Sequence, residues 1–198
     1  MTDVATDGRV RRGARNREAI VDALLTLYRD GDLRPTAQQV AATAGVAPRS
    51  VYHHFADMEG LIAEVSQRQL RDHGHLMEAP SADGALDVRI RALTGRRAEL
   101  FEAVSPVRRA ALLQAYRSPT VRRNLASLAR RLRGQLEALF APELRARSPR
   151  ARASLLDALD LLTSWDAWDR LRTQQRLDAE RARRVLTDTI ASLLEENR

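Results

Sequence analysis

Residues 36–55 read TAQQVAATAGVAPRSVYHHF, and the fold turns on this stretch. Ala37, Val40, Ala41 and Ala44 recur at i, i+3, i+4 and i+7, the apolar stripe of a helix that buries one face. Thr36 offers a hydroxyl to cap the free amides at its start. Gly45 stands just past the last periodic residue, where a helix end often needs the left-handed backbone that glycine adopts without steric penalty. Val46 can fill the space before the next helix, and Pro48 suits that helix's first turn, because the N–H it lacks has no partner there. Val51 and Phe55, four apart, bury one side of the second helix. The residues left near solvent are Pro48, Arg49, Ser50, Tyr52, His53 and His54, with Thr36 at the start of the preceding helix. Together they form a recognition surface.

A helix, a glycine turn and a second short helix make a helix-turn-helix, which sets its second helix in the DNA major groove. At these residues the sequence resembles the tetracycline-repressor-like (TetR) family of bacterial transcription regulators. That family's pattern runs alanine-glycine-valine, a short recognition helix, then tyrosine-x-histidine-phenylalanine; here it stands as Ala44-Gly45-Val46 and Tyr52-His53-His54-Phe55. The resemblance covers roughly the first 65 residues and continues as a weaker helical pattern to the C-terminus. It implies an all-α protein of about nine helices: a basic, flexible arm (1–14), a three-helix DNA-binding domain (15–56), and a helical effector-binding and dimerisation domain (57–198). Two positions depart from the family pattern. Ala47 replaces the usual capping serine, and Met58 stands where a lysine normally touches a phosphate.

Composition narrows the remaining classes. The 198 residues include no cysteine, which excludes disulfides, thiol redox sensing and thiolate metal sites. No apolar run reaches the length of a membrane span, and the N-terminus lacks the pattern of an export signal, so the expectation is a soluble cytoplasmic protein. Net charge is +7, but it is unevenly placed. Over residues 1–60, eight arginines balance eight acidic residues, although Arg9, Arg11, Arg12, Arg15 and Arg17 fall in a stretch without an acid. Such an arm can attract phosphates or enter the minor groove, or it can be a solvated lead into the first helix. Residues 101–152 hold twelve arginines against Glu102, Glu137 and Glu143. An anionic partner would explain this. So would coding bias, because the chain contains no lysine at all.

Periodicity places the other helices. The first should span residues 15–30, with Ile20, Leu24, Leu27 and Tyr28 inward, and the fourth should start at Asp57, bury Leu61, Ile62 and Val65, and reach residue 78. After a turn-like stretch at 79–84, Ile90, Leu93, Leu100, Phe101 and Val104 mark a fifth. Ser105-Pro106, Ser118-Pro119 and Ser148-Pro149 each set a capping hydroxyl before a first-turn proline, so each is read as a helix start. The seventh helix carries Val121, Leu125, Leu128, Leu132, Leu136 and Leu139 as one seam. The eighth is apolar on two sides, with Leu155, Leu159 and Leu162 on one and Leu161, Trp165 and Trp168 on the other. The ninth is capped by Asp178 and carries Ala182, Val185, Leu186, Ile190, Leu193 and Leu194.

Surplus apolar faces on the last two helices need a partner, and a homodimer supplies one through Leu161, Trp168, Val185, Leu186, Ile190 and Leu193. The resemblance implies the same: the last two helices of each subunit join in a four-helix interface, so that two heads reach the half-sites of a pseudopalindromic double-stranded DNA operator. Thr36, Tyr52 and His54 are then candidates for phosphate contacts, and Arg49 and His53 for base edges. Arg49 is the strongest base reader, since its planar fork matches guanine O6 and N7. Tyr52 reads alternatively as a core aromatic and His54 as a surface histidine.

The resemblance also implies a repressor released by a small organic effector held in the body, mainly apolar and in one version carrying an anionic group. Candidate pocket walls are Leu100, Phe101, Val104, Leu112, Tyr116, Leu128 and Trp165, each of which is also compatible with ordinary core. A constitutive DNA-binding protein without a ligand is the nearer alternative. An enzyme is the more distant one: His73 and His75, two apart, lie on different sides of a helix and cannot form an i, i+4 zinc pair. Asp157, Asp160 and Asp166 come without an evident nucleophile or phosphate loop. No metal or cofactor is expected.

Overall fold

The computed structural model describes residues 3–116 and 118–195, with side chains from residue 10 onward. Among the described residues there are ten α-helices and no strand: α1 (Asp3–Arg29), α2 (Ala37–Ala44), α3 (Pro48–His54), α4 (Met58–Asp72), α5 (Leu86–Ala115), α6 (Pro119–Leu139), α7 (Ala141–Arg145), α8 (Pro149–Leu162), α9 (Trp165–Asp169) and α10 (Ala179–Glu195). A 3-10 turn, Gly74–Met77, follows α4, and a π turn, Arg170–Gln174, follows α9. The helices divide into two compact units, Met1–Asp72 with Pro106–Val121, and His73–Ser105 with Arg122–Arg198.

The first unit is built around Ile20, Leu24 and Tyr28 of α1, Val40 and Ala41 of α2, Val51 and Phe55 at α3, and Leu61, Ile62 and Val65 of α4, joined by Val107 and Ala110. Several of these are wholly excluded from water, and each such side chain contributes roughly 1.5–3 kcal/mol of transfer free energy. α1 starts earlier than its apolar pattern indicated, taking in residues 3–14 that the sequence assigned to a flexible arm. Arginine and alanine are good helix formers, and an interior glycine such as Gly13 costs only about 1 kcal/mol, so nothing in this stretch stops the helix. Arg9 carries a side chain outside those described.

The second unit contains two apolar clusters. One gathers Phe101, Val104, Leu132, Trp165, Trp168 and Leu186 among others; the second gathers Ile90, Leu93, Leu136, Phe140, Leu159 and Ile190. α5, α6 and α10 each pass from one cluster to the other and carry polar residues at the crossing, Thr94 and Arg97 on α5, Gln135 on α6 and Thr187 on α10; Asp160 and Thr163 stand where α8, in one cluster, gives way to α9, in the other. Deeper in the second cluster, Arg89 is held by both carboxylate oxygens of Glu143 and by the Leu139 carbonyl at 2.7 Å.

Several boundaries differ from the sequence reading, each for a local reason. Ser105-Pro106 does not start a helix, because α5 runs through it. The Ser105 hydroxyl donates back to the Phe101 carbonyl and accepts from Trp165 Nε1 at 2.9 Å, so it is unavailable as a cap. Ser118 and Ser148 do cap their helices, accepting from the amides of Val121 and Ala151. The expected eighth helix is broken at Thr163, where Ser164 caps α9 by accepting from the Ala167 amide at 3.1 Å. The short α7 was not foreseen. The fourth helix ends at Asp72 rather than at residue 78, giving way to the 3-10 turn at Gly74.

Candidate nucleic-acid interface

α2 is fixed at both ends by the groups its sequence supplies. The Gln39 amide donates to Thr36 Oγ1 at 3.2 Å, and Gln39 Oε1 accepts from the Thr36 amide at 2.8 Å, a reciprocal capping box. Thr36 Oγ1 also lies 2.8 Å from Gln39 Oε1, so its proton is already engaged and a phosphate would have to compete for it. Gly45 closes the helix at φ 67°, where a Cβ would be strained. Ala47 occupies the N-cap of α3 with extended backbone and no side-chain hydrogen bond, and Pro48 opens that helix.

Val51 is buried and turns α3 outward with Pro48, Arg49, Tyr52 and His53 exposed, and Ser50 and His54 half-buried. Tyr52 is 60 % exposed, so it is not a core aromatic. A groove of about 530 Å³ beside α3 is lined by Arg49, Ser50, His53 and His54 together with Arg12, Gly13 and Asn16 of α1. Two arginines, two histidines and an asparagine therefore converge without a carboxylate among the lining residues. Gly13 and Asn16 were missed in the sequence because they join the groove through the packing of α1 beside α3, which no spacing along the chain shows.

His54 leans over α1, its Cε1 lying 3.9 Å from where a Cβ on Gly13 would stand, and its ring meets His53 edge-on at 5.2 Å between centroids. Burial, then the neighbouring His53 and Arg17, push its pKa below the ordinary histidine value. The shift favours the neutral imidazole over the cation. Arg17, one of the arm's arginines, is engaged elsewhere. It pairs with Glu64 at 2.6 Å and lies over the Phe55 ring at 5.0 Å, which pins α1 to α4 and to the end of α3. Met58 packs against the first unit's core, and Asp57 caps α4 by accepting from the Gly60 amide at 2.8 Å.

The residues put forward for an effector pocket are divided between the two units. Leu100, Phe101, Val104 and Trp165 are buried in one cluster of the second unit, with Leu128 packed against it. Leu112 and Tyr116 belong to the first unit and are exposed, Tyr116 at 93 %. The proposed dimer residues also separate. Trp168, Leu186 and Ile190 are interior, Leu193 is half-buried, and only Leu161 and Val185 are exposed. Trp168 is held there by its indole N–H, which donates to Glu102 at 2.8 Å, so one of the two apolar sides of the expected eighth helix faces its own subunit.

A capped helix-turn-helix with a bare, cation-lined recognition helix, followed by a larger helical unit, defines the class of two-part DNA-binding regulators. The sequence pattern of bacterial regulatory proteins of the tetR family matches residues 20–65. The chain is 34% identical over 157 residues to the HTH-type transcriptional regulator BetI of Rhizobium meliloti (strain 1021), covering 72% of this chain and 75% of that protein. Its fold is similar to a tetR-family transcriptional regulator from Streptomyces coelicolor, with TM-score 0.71 and 18% identity over 92% of this chain and 81% of the other. It is similar, more distantly, to the multidrug binding protein EbrR complexed with imidazole, with TM-score 0.50 and 22% identity over 87% and 93% of the two chains. The chain belongs to the tetR family of bacterial regulatory proteins; it is a DNA-binding transcriptional regulator and not an enzyme.

Proposed function

We propose that the protein is a homodimeric repressor that reads a pseudopalindromic operator through α3 and is released from it by a small organic effector held in the second unit. The observation that carries the DNA half is the groove in which Arg12, Asn16, Arg49 and His53 converge beside the exposed Tyr52. Arg49 has the reach and the planar fork to bond a guanine edge, while Arg12, Tyr52 and the N–H of His54 are placed as phosphate donors. Thr36 serves as cap first and contact second, since its hydroxyl is already hydrogen-bonded.

The dimer half is supported by the outer faces of α8 and α10. These helices share one apolar cluster through Leu155, Leu159, Ile190 and Leu194, and outward they carry Leu161 and Val185 amid Ser154, Ala158, Thr189 and Ser192. Small residues beside one large apolar residue allow close helix approach. Two copies related by a two-fold axis would bury both and set two heads on two half-sites.

The effector half is supported by the size of the second unit and by the fold neighbour EbrR, whose structure holds imidazole. The close packing of Leu100, Phe101, Val104 and Trp165 favours a second reading, a constitutive regulator without a ligand. One experiment separates the two: titration of the protein–operator complex with a chemical panel, followed by fluorescence anisotropy. Release by any compound that leaves the dimer intact supports the sensor. Retention throughout, with a body that binds nothing, supports the constitutive reading.

A further inference from the structure

Most arginines of this chain are explained by their surroundings, being solvated or ion-paired, and a coding bias toward arginine would fill the surface in just this way. Arg97 is different. It is 2 % exposed, in the middle of α5, where the second unit changes from one apolar cluster to the other. The other polar groups of that belt are satisfied. Thr94 and Thr187 share a 2.8 Å hydrogen bond, Gln135 donates to the Met77 carbonyl at 2.6 Å, and Thr163 donates to the Leu159 carbonyl at 2.8 Å. Arg97 makes a single hydrogen bond, from Nη2 to the Leu132 carbonyl at 3.0 Å, and its Nε has no partner. Among the described residues no carboxylate lies within ion-pair distance of it. Asp160, whose charge acts on it, bonds Arg133 instead, at 3.4 Å. Desolvation holds the guanidinium pKa down to about 10, well below its ordinary value.

A buried guanidinium offers five N–H donors and cannot be neutral in the cell, so burying it with one acceptor is costly unless a further anion arrives. Arg89 shows the alternative within the same unit: its Nε also lacks a partner, but both of its Nη groups bond the Glu143 carboxylate, so its charge is matched. On α5, Phe101 and Val104 follow Arg97 at i+4 and i+7 and so lie on the same helix face, which sets an apolar wall beside the cation. We propose that Arg97 is the anion-recognising residue of the effector site, and that the effector is an organic monocarboxylate whose apolar body lies against Phe101, Val104 and Trp165. One buried cation matches one negative charge; a dianion would bring an uncompensated charge into the belt beside Asp160. This rests on the reading of the second unit as the effector-binding body, and the ligand takes its place by displacing side chains that now pack against one another.

The test uses the full chain, with Arg97→Met and Arg97→Lys variants, in thermal unfolding against octanoate, phenylacetate and indole-3-acetate, each beside its uncharged amide. A residue kept for ligand recognition is replaced by a flexible apolar side chain without loss of fold, so Arg97→Met should melt at or above the wild-type temperature. At least one carboxylate should bind the wild type about tenfold tighter than its amide, a preference lost in Arg97→Met and partly retained in Arg97→Lys. Failure of Arg97→Met to fold, no carboxylate preference in the wild type, or a preference that persists without the guanidinium would each overturn the proposal. Operator binding separates this from the release mechanism. A carboxylate that binds through Arg97 without loosening the operator removes the release reading and leaves the site. Release by carboxylate and amide alike does the reverse.

Discussion

α3 and α8 are both helices with apolar residues on more than one side, yet they resolve that surplus in opposite ways. On α3 only Val51 is buried, with Phe55 just beyond; Ser50 and His54 are half-buried, and the rest, including the aromatic Tyr52, is left in solvent. On α8 and the short α9 behind it, Leu155, Leu156, Leu159, Trp165 and Trp168 all go inward, because the chain breaks at Thr163 and turns the second stripe into the other apolar cluster of the same unit. Tyr52 is thus left on the surface, and an apparently surplus Trp168 is core. What separates them is chain geometry: a seven-residue helix capped by backbone alone cannot rotate its far side inward, whereas a helix that restarts at Ser164 can.

The largest test of this contrast is truncation on its two sides. Trp168→Ala should destabilise the second unit by about 3–5 kcal/mol, since it empties a fully buried site and strands a hydrogen bond to Glu102. Leu161→Ala, on the exposed face of the same segment, should change monomer stability by no more than about 0.5 kcal/mol. Chemical denaturation of both variants at one protein concentration checks the ratio. Next comes assembly. Leu161→Glu combined with Val185→Glu should leave the helical content intact, convert the protein to monomer in sedimentation velocity, and weaken operator binding by more than about tenfold, as two half-sites are no longer bound together.

Smaller effects belong to the head. Tyr52→Phe should weaken binding to every DNA sequence alike, by about 1 kcal/mol, if its hydroxyl bonds a phosphate; anisotropy against specific and scrambled duplexes reads this, and a loss confined to one base would contradict it. Ala47→Ser should raise the thermal midpoint slightly, adding the side-chain cap that α3 lacks, worth about 1 kcal/mol in other helices. No gain would mean that the extended Ala47 backbone already fixes the helix start.

The head was legible because its signals are local. Thr36, Gly45, Pro48, and the spacing of Val51 and Phe55 lie within one short stretch, and each acts on its neighbours through a cap, a left-handed turn or a four-residue contact. Caps at Ser118, Ser148 and Asp178 were legible for the same reason, the last accepting from the Arg181 amide at 2.7 Å. Ser105-Pro106 was misread because its outcome depends on a residue sixty positions away, Trp165, whose indole claims the serine hydroxyl. The groove beside α3 was only half visible, since Arg12 and Asn16 join it through the pairing of α1 with the head rather than through any spacing along the chain. Arg97 gave no sign in the sequence. One arginine among thirty-three becomes unusual only when its burial is known.

The central claim is that the bare face of α3 reads DNA sequence, and Arg49 carries most of it. Selection of bound duplexes from a random pool, run in parallel for the wild type and Arg49→Ala, tests it directly. The account predicts a two-fold symmetric motif for the wild type and, for the variant, the same motif with discrimination lost at one position in each half-site, corresponding to about 1–3 kcal/mol. An Arg49→Ala motif undiminished at every position, or a wild-type pool with no symmetric motif, would contradict it.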